Sequence, residues 1–240
     1  MVKFLPDDTF LVSYPKSGNT WVRFLICNYL SNGECDFLKI SQMIPELHVE
    51  ENSLSRCLKP RIFKSHLPHQ PDYKNVIYLV RDGRDIAVSY YFHLIKQKKM
   101  DRNTQFSEFI NKFNRGELQF GSWSAHVISW LKHKTERFLL IKYEEVLNNP
   151  QKELEKILHF LGIEINFQKI KTAIETSSFY RMSQLEHEQQ SMVPTLADSI
   201  LDIPFIRKGI AGDYLNYFTK EQEAEFIKIH FEALKRLHYI

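Results

Sequence analysis

Short β-rich apolar runs alternate with helical patterns along this chain of 240 residues, and no other feature narrows its fold as much. The runs cover residues 9–13, 61–65, 76–80 and 138–143. Strand-length runs separated by helix-length segments predict a parallel sheet with helices on both faces. Asn19 reads as the cap of a helix running to about Leu30, with Trp21, Phe24, Leu25 and Tyr29 on one stripe and Gly33 as its stop. Further helices are predicted from Asp82–Asp85 to Gln97, over 105–113 and 122–133, and from Pro150 to Leu161, closed by Gly162. The last, 220–237, is acidic early and basic late, as the helix dipole prefers. Residues 189–207, with Pro194 and Pro204, read as a long irregular loop. With no repeat and no composition break, one α/β domain spanning 1–240 is expected.

Composition removes several classes. Hydrophobic residues at 43% and charged residues at 25% exclude extensive disorder. No apolar run reaches the roughly 18 residues a bilayer requires, and residues 1–6 are too short and polar for a secretory leader. A cytoplasmic protein without membrane association is expected. The cysteines, Cys27, Cys35 and Cys57, are odd in number and show no CxxC spacing, so neither a disulfide nor a zinc site is expected and a reducing compartment fits. Ten histidines include no ligand-spaced set; the run 185–188 lacks the second His of H-E-x-x-H, so no metal is expected. The net charge of +3 is too small for a nucleic-acid domain, and the cations form no long stripe. A local anion site remains the expectation.

In open parallel sheets, ligands bind beyond the carboxyl ends of the strands. Four segments collect polar and cationic residues there. After the first strand comes Tyr14-Pro-Lys-Ser-Gly-Asn-Thr-Trp21. Gly18 permits a tight turn, the following helix N-terminus favours an anion, and Lys16 and Thr20 add donors. It is not a Walker A loop, because the lysine precedes the only glycine. Taken alone, it is also compatible with an ordinary strand–helix turn. Lys64 and His66 stand two apart on the second strand and share a face, where an imidazole can act as base beside a charge-stabilising ammonium. The lysine also disfavours protonation of the histidine. Taken alone, this pair reads better as a half-buried His beside a surface Lys. After the third strand, Arg81 is placed to fork onto a phosphate, with Ser89 one to two turns into the next helix. The competing reading pairs Arg81, Asp82, Arg84 and Asp85 with one another at the surface. Finally, Arg207 and Lys208 precede Gly209, a combination suited to close phosphate approach or to a solvated charged turn.

Together these segments resemble the cytosolic sulfotransferase family, which uses 3′-phosphoadenosine-5′-phosphosulfate (PAPS). Residues 14–21 are similar to its 5′-phosphosulfate loop and 76–91 to its 3′-phosphate segment. Residues 207–213 are similar to R-K-G-x-x-G-D, and 64–68 to K-T-H-L-P with Ser65 for Thr. Tyr143-Glu-Glu, the run 149–153 and 176–179 also fit, in family order from about residue 9 to 219. The resemblance implies a P-loop-NTPase-like sulfotransferase fold: a single domain with a central parallel β-sheet flanked by helices. It implies PAPS as cosubstrate, adenosine 3′,5′-bisphosphate (PAP) as product and no metal, in an in-line displacement. His66 would be the base, Lys16 would stabilise the bridging oxygen, Lys64 would hold the sulfuryl group, and Ser89 would bind the 3′-phosphate and restrain Lys16. Backbone amides of Ser17, Gly18, Asn19 and Thr20 would hold the 5′-phosphate. Trp21 and Phe179 would sandwich the adenine, with polar contacts from Tyr143 and Ser177. Arg81, Arg207, Lys208 and Gly209 would hold the 3′-phosphate.

Two departures matter. Tyr214 stands where the signature usually has Trp. Of the family's dimer motif only Thr219 survives within 215–224, so a monomer, or a dimer built otherwise, is expected. The acceptor is expected to be a small molecule, held by loops around Phe92, 96–104 and 189–204. The alternatives are a small-molecule kinase with a degenerate P-loop and a nucleotide-binding protein without turnover.

Overall fold

The computed structural model describes residues 4–47, 59–133 and 135–240; Cys57 lies outside them. Four parallel strands, β1 (Thr9–Ser13), β2 (Ile62–Ser65), β3 (Asn75–Val80) and β4 (Arg137–Lys142), form one sheet in the order β2-β1-β3-β4. The helices are α1 (Asn19–Leu30), α2 (Phe37–Met43), α3 (Gly83–Lys96), α4 (Phe106–Asn114), α5 (Trp123–Lys132), α6 (Tyr143–Asn148), α7 (Pro150–Phe160), α8 (Phe167–Thr176), α9 (Phe179–Gln189), α10 (Pro194–Ala197) and α11 (Lys220–Arg236).

Strand periodicity sorts the core. Phe10, Val12, Phe63, Val76, Tyr78 and Val80 face one side, against Phe109, Phe113, Trp123, Trp130 and Phe226 of α4, α5 and α11. Leu11, Ile62, Ile77, Leu79 and Ile141 face the other, against α1, α7 and α8. Every residue of β1 and β3 is buried, as a doubly covered parallel sheet requires. Each large apolar side chain so placed contributes about 1.5–3 kcal/mol relative to exposure. A third cluster joins Phe24 and Cys27 of α1 to Ile40, Met182, Leu185 and Leu196, and Phe205 and Ile206 pack on it.

The strand order creates the crevice. From β1 the chain runs outward to β2, then returns across β1 to β3, so the loops leaving β1 and β3 diverge. That switch point is where open α/β sheets bind ligands.

Several expectations are corrected. Asn19 does not cap α1: Gly18 occupies the cap in a left-handed conformation (φ 94°), and the Asn19 side chain bonds inward instead. Tyr143 opens α6 rather than ending β4. Helices α2, α8 and α9 had no sequence expectation; α8 packs Ile170, Ala173 and Ile174 into the core at helical spacing, and α9 buries Met182 and Leu185 while exposing Phe179 and Tyr180. The irregular segment 189–207 holds one short helix, α10. Cys27 and Cys35 form a disulfide across the turn that Gly33 makes after α1, with Cα atoms 5.7 Å apart, against the expectation of none. The reversal brings residues eight apart together, which motif spacing does not reveal.

Candidate active site

The loop leaving β1 is shaped by two left-handed residues, Lys16 (φ 70°) and Gly18 (φ 94°). Only glycine suits the second, because a Cβ there would lie 2.5 Å from the Tyr143 ring. The Ser17 hydroxyl donates to Tyr14 O at 2.8 Å, and Asn19 Nδ2 donates to Leu11 O and Ser13 Oγ. These bonds tie the turn to β1. Val22 N–H is the first to bond back, to Gly18 O at 3.2 Å; the amides of Asn19, Thr20 and Trp21 are the unpaired donors every helix start carries. They form the positive end of α1, an anion cradle.

At the end of β2 sit Lys64 and His66. His66 Nδ1 lies 2.7 Å from the Ser13 carbonyl, which can only accept, so Nδ1 carries the proton and Nε2 keeps its lone pair. Burial holds the His66 pKa well below 6.5, and the neighbouring Lys64 charge adds to the effect, as the two-residue spacing predicts. Phe120 meets the imidazole edge to face, with centroids 5.5 Å apart. The Lys64 ammonium bonds the Glu46 carboxylate at 2.8 Å.

Lys16 is a strongly perturbed cation. Burial, then the charges of Lys64, Arg81 and Arg207, push its pKa down to about 7, with Glu186 opposing. Its ammonium lies 4.5 Å from the centre of the Phe205 ring. It shares a small cleft with Ser89, Phe92, His93, Phe205 and Arg207. Ser89 therefore does reach Lys16's surroundings, two turns into α3.

Arg81, at the end of β3, donates to Ile210 O at 2.8 Å and stacks on the Tyr143 ring at 4.3 Å. Asp85, fully buried, accepts the backbone N–H groups of Gly212 and Tyr214 at 2.8 and 3.0 Å. The turn 207–213 is thereby fastened to the start of α3, about 130 residues away in sequence. Arg207 and Lys208 both pair with Asp213. The carboxyl of Asp213 is held below its usual range: burial works upward, but bonds from Lys208, Arg207 and Asn216 outweigh it. The Nε atoms of Arg81 and Arg207 are buried and have no hydrogen-bond partner. Two orphaned guanidinium donors beside a helix N-terminus fit a ligand with more than one anionic group.

The mutual pairing expected as the competing reading is half correct. Arg84 does bond Asp82, but both are buried and the pair extends to Glu223. Arg81 also pairs with Asp85, at 3.5 Å and likewise buried, and the two help to build the crevice.

The remaining residues divide. The Trp21 indole N–H donates to Ser177 O at 3.0 Å, and its ring meets Tyr143 edge to face. Phe179, half-exposed, packs on Gly209, whose φ is 66° and whose Cβ would sit 2.8 Å from that ring. Ser177 is a correction: it is fully buried and its hydroxyl accepts from Asn28, so its side chain faces no ligand space. It positions Trp21 through its carbonyl.

Sequence reasoning had Asp85 as a partner of the cations only in a surface pairing, missed Asp213 and Glu46 in that role, and missed a second layer. Lys96 is buried, bonds Ile200 O and Ile203 O, and pairs with Glu186 at 3.4 Å. Glu186 in turn accepts the N–H groups of Phe205 and Ile206. This pair fixes the loop that lays Phe205 under Lys16. The only sequence signal was that Lys96 and Phe92 share a face of α3. Among the described residues no group of three or more His, Cys, Asp or Glu is placed to hold a metal, and no helix is long and apolar enough to cross a membrane.

The sulfotransferase domain family model matches residues 6–238. Sulfotransferase 1E1 of Bos taurus is 34% identical over 248 residues, covering 95% of this chain and 83% of its own length. The 3-beta-hydroxysteroid sulfotransferase of Cavia porcellus is 34% identical, covering 97% and 86%. Mouse sulfotransferase SULT7A1, solved with PAP, superimposes with TM-score 0.77 at 28% identity, over 97% of this chain and 86% of its own. Retinol dehydratase, solved with retinol and PAP, shares the fold at TM-score 0.78 and 22% identity, over 97% and 82%. The chain is therefore a sulfuryl-transfer enzyme and belongs to the cytosolic sulfotransferase family.

Proposed function

We propose that this enzyme, acting as one domain, moves the sulfuryl group of PAPS to a hydroxyl or amine of a small-molecule acceptor. The observation that carries the reading is the neutral His66, its Nδ1–H fixed on Ser13 O and its Nε2 free beside the Lys64 charge. The PAP in the mouse relative supports the donor, and the orphaned Nε atoms of Arg81 and Arg207 fit its phosphates.

PAPS supplies the sulfuryl group and a nucleotide leaving group. The other tasks belong to the chain. Amides of Ser17–Thr20 hold the 5′-phosphate at the α1 dipole. Arg81, Ser89, Arg207, Lys208 and the Gly209 backbone hold the 3′-phosphate, with Asp213 ceding part of its hold on the two cations. Trp21 and Phe179 flank the adenine beside Tyr143. Lys16 steadies charge on the bridging oxygen and Lys64 steadies the sulfuryl oxygens; stabilisation aimed at developing charge is usually the largest catalytic effect. His66 Nε2 takes the acceptor's proton as the new S–O or S–N bond forms, a contribution of about 10²–10⁴-fold. No metal is assigned to these roles. The acceptor is held near Phe92, 96–104 and 189–204, and neither membrane nor nucleic acid is a partner. The protein is a monomer, or a dimer not built on 215–224, where Thr219 instead caps α11.

The test is transfer of radiolabelled sulfuryl from PAPS to a panel of small phenols, alcohols and amines without added metal. Labelled product from wild type but not from His66→Ala supports the reading. Transfer of phosphate from ATP, or equal product from His66→Ala, overturns it.

A further inference from the structure

The carboxylates around the crevice differ in what they hold. Asp85 is engaged by two backbone amides and Arg81, Asp213 by Arg207, Lys208 and Asn216, and Glu186 by two amides and Lys96. Glu46 bonds a different kind of partner, the catalytic-site ammonium of Lys64. Its side chain is 30% exposed, whereas Asp85, Asp213 and Glu186 are nearly closed off.

Its position is fixed by backbone. Segment 45–47 runs beside β2, with Lys64 N–H donating to Pro45 O at 2.8 Å and Leu47 N–H to Lys64 O at 3.1 Å. The buried Arg23 guanidinium, donating to Ile40 O and Ile44 O, secures the approach to that segment. β1 and its anion-cradling loop lie on one side of β2, and Glu46 lies on the other. Lys64 thus stands between the donor loop and a carboxylate.

We infer that Glu46 selects acceptors that carry a protonated amine in addition to the hydroxyl that is sulfated. The inference rests on the PAPS-dependent reading above. When Lys64 turns to the sulfuryl oxygens, Glu46 loses its partner. A half-buried carboxylate left unpaired is costly, and an acceptor ammonium restores the pair. The donor's negative charge meanwhile offsets Lys16 and Lys64, so a cation is not repelled from the crevice. A hydrophobic acceptor without charge gains nothing from this group.

The probes are tyramine and 4-ethylphenol, which differ by the ammonium group. Wild type should show at least tenfold higher kcat/KM for tyramine. Glu46→Gln should cut that ratio by tenfold or more, and Glu46→Asp should retain part of it. PAP-induced thermal shifts are read on every variant. A wild-type ratio near one overturns the inference, as does an equal loss on both phenols in Glu46→Gln, which would make Glu46 a positioning residue for Lys64. Turnover of neither phenol, with the PAP shift intact, overturns the acceptor class and leaves the donor reading standing. Absence of the PAP shift in wild type overturns the donor reading itself.

Discussion

The ammonium of Lys16 lies 4.5 Å from the centre of the Phe205 ring, in a cleft that also gathers Arg207 and Ser89. Burial and three neighbouring cations lower its pKa to about 7. A bound polyanion favours the charged form and moves that pKa back toward the usual lysine value. Affinity for PAP is therefore full below about pH 7 and falls as pH rises through it, by at most tenfold per unit. Calorimetry at pH 8 in two buffers of different ionisation enthalpy should register proton uptake on PAP binding. Lys16→Met should abolish the uptake; none in wild type contradicts the assignment.

Gly18→Ala should damage the donor loop more than Gly209→Ala damages the signature turn. Both positions have positive φ, which costs roughly 1–2 kcal/mol for a residue with a Cβ. The new methyl at 18 meets the buried Tyr143 ring at 2.5 Å, whereas at 209 it meets the half-exposed Phe179, which has room to swing. Urea unfolding should show the larger loss for Gly18→Ala, while PAP titration should show weakened binding in both.

Asp85→Ala should lower stability by about 1–3 kcal/mol, because two backbone amides and the buried Arg81 lose their acceptor. PAP affinity should fall with it, since the turn carrying Arg207 is released. Unchanged PAP affinity in a folded Asp85→Ala protein would show that the turn holds itself.

Lys96→Met leaves the Glu186 charge buried without its cation, a change that typically costs about 3–5 kcal/mol. Adding Glu186→Gln should recover part of that loss, as measured by a double-mutant cycle in thermal unfolding. Strict additivity would contradict the coupling.

The sequence disclosed those parts of the site where residues close in the chain act together. The loop at 14–21, the Lys64–His66 spacing and the turn at 207–213 all lie at strand ends or beside glycines, so local rules place them. Chain reversals and long-range bonds were not legible. Position 18, the observed cap, admits only glycine because Tyr143, 125 residues on, leaves no room for a Cβ, and Asn19 turns its side chain to Leu11 and Ser13 instead. Ser177 turned its hydroxyl to Asn28 and not to the ligand space. Glu46, Lys96 and Glu186 belong to no motif, and only the fold brings them to the lysines and loops they hold. The Cys27–Cys35 bridge arose from a turn that cysteine counting does not describe.

The most direct measurement of the central claim is thermal unfolding with PAP, compared with AMP, ATP and GTP without Mg²⁺, on wild type and His66→Ala. A ligand at about 100 times its Kd adds roughly 2.7 kcal/mol of stability. The account predicts a rise in Tm with PAP in both proteins and little or none with AMP. It also predicts that His66→Ala, although it binds PAP, loses sulfuryl transfer by about 10²–10⁴-fold. A shift that requires ATP or GTP with Mg²⁺, or no response to PAP, would contradict it.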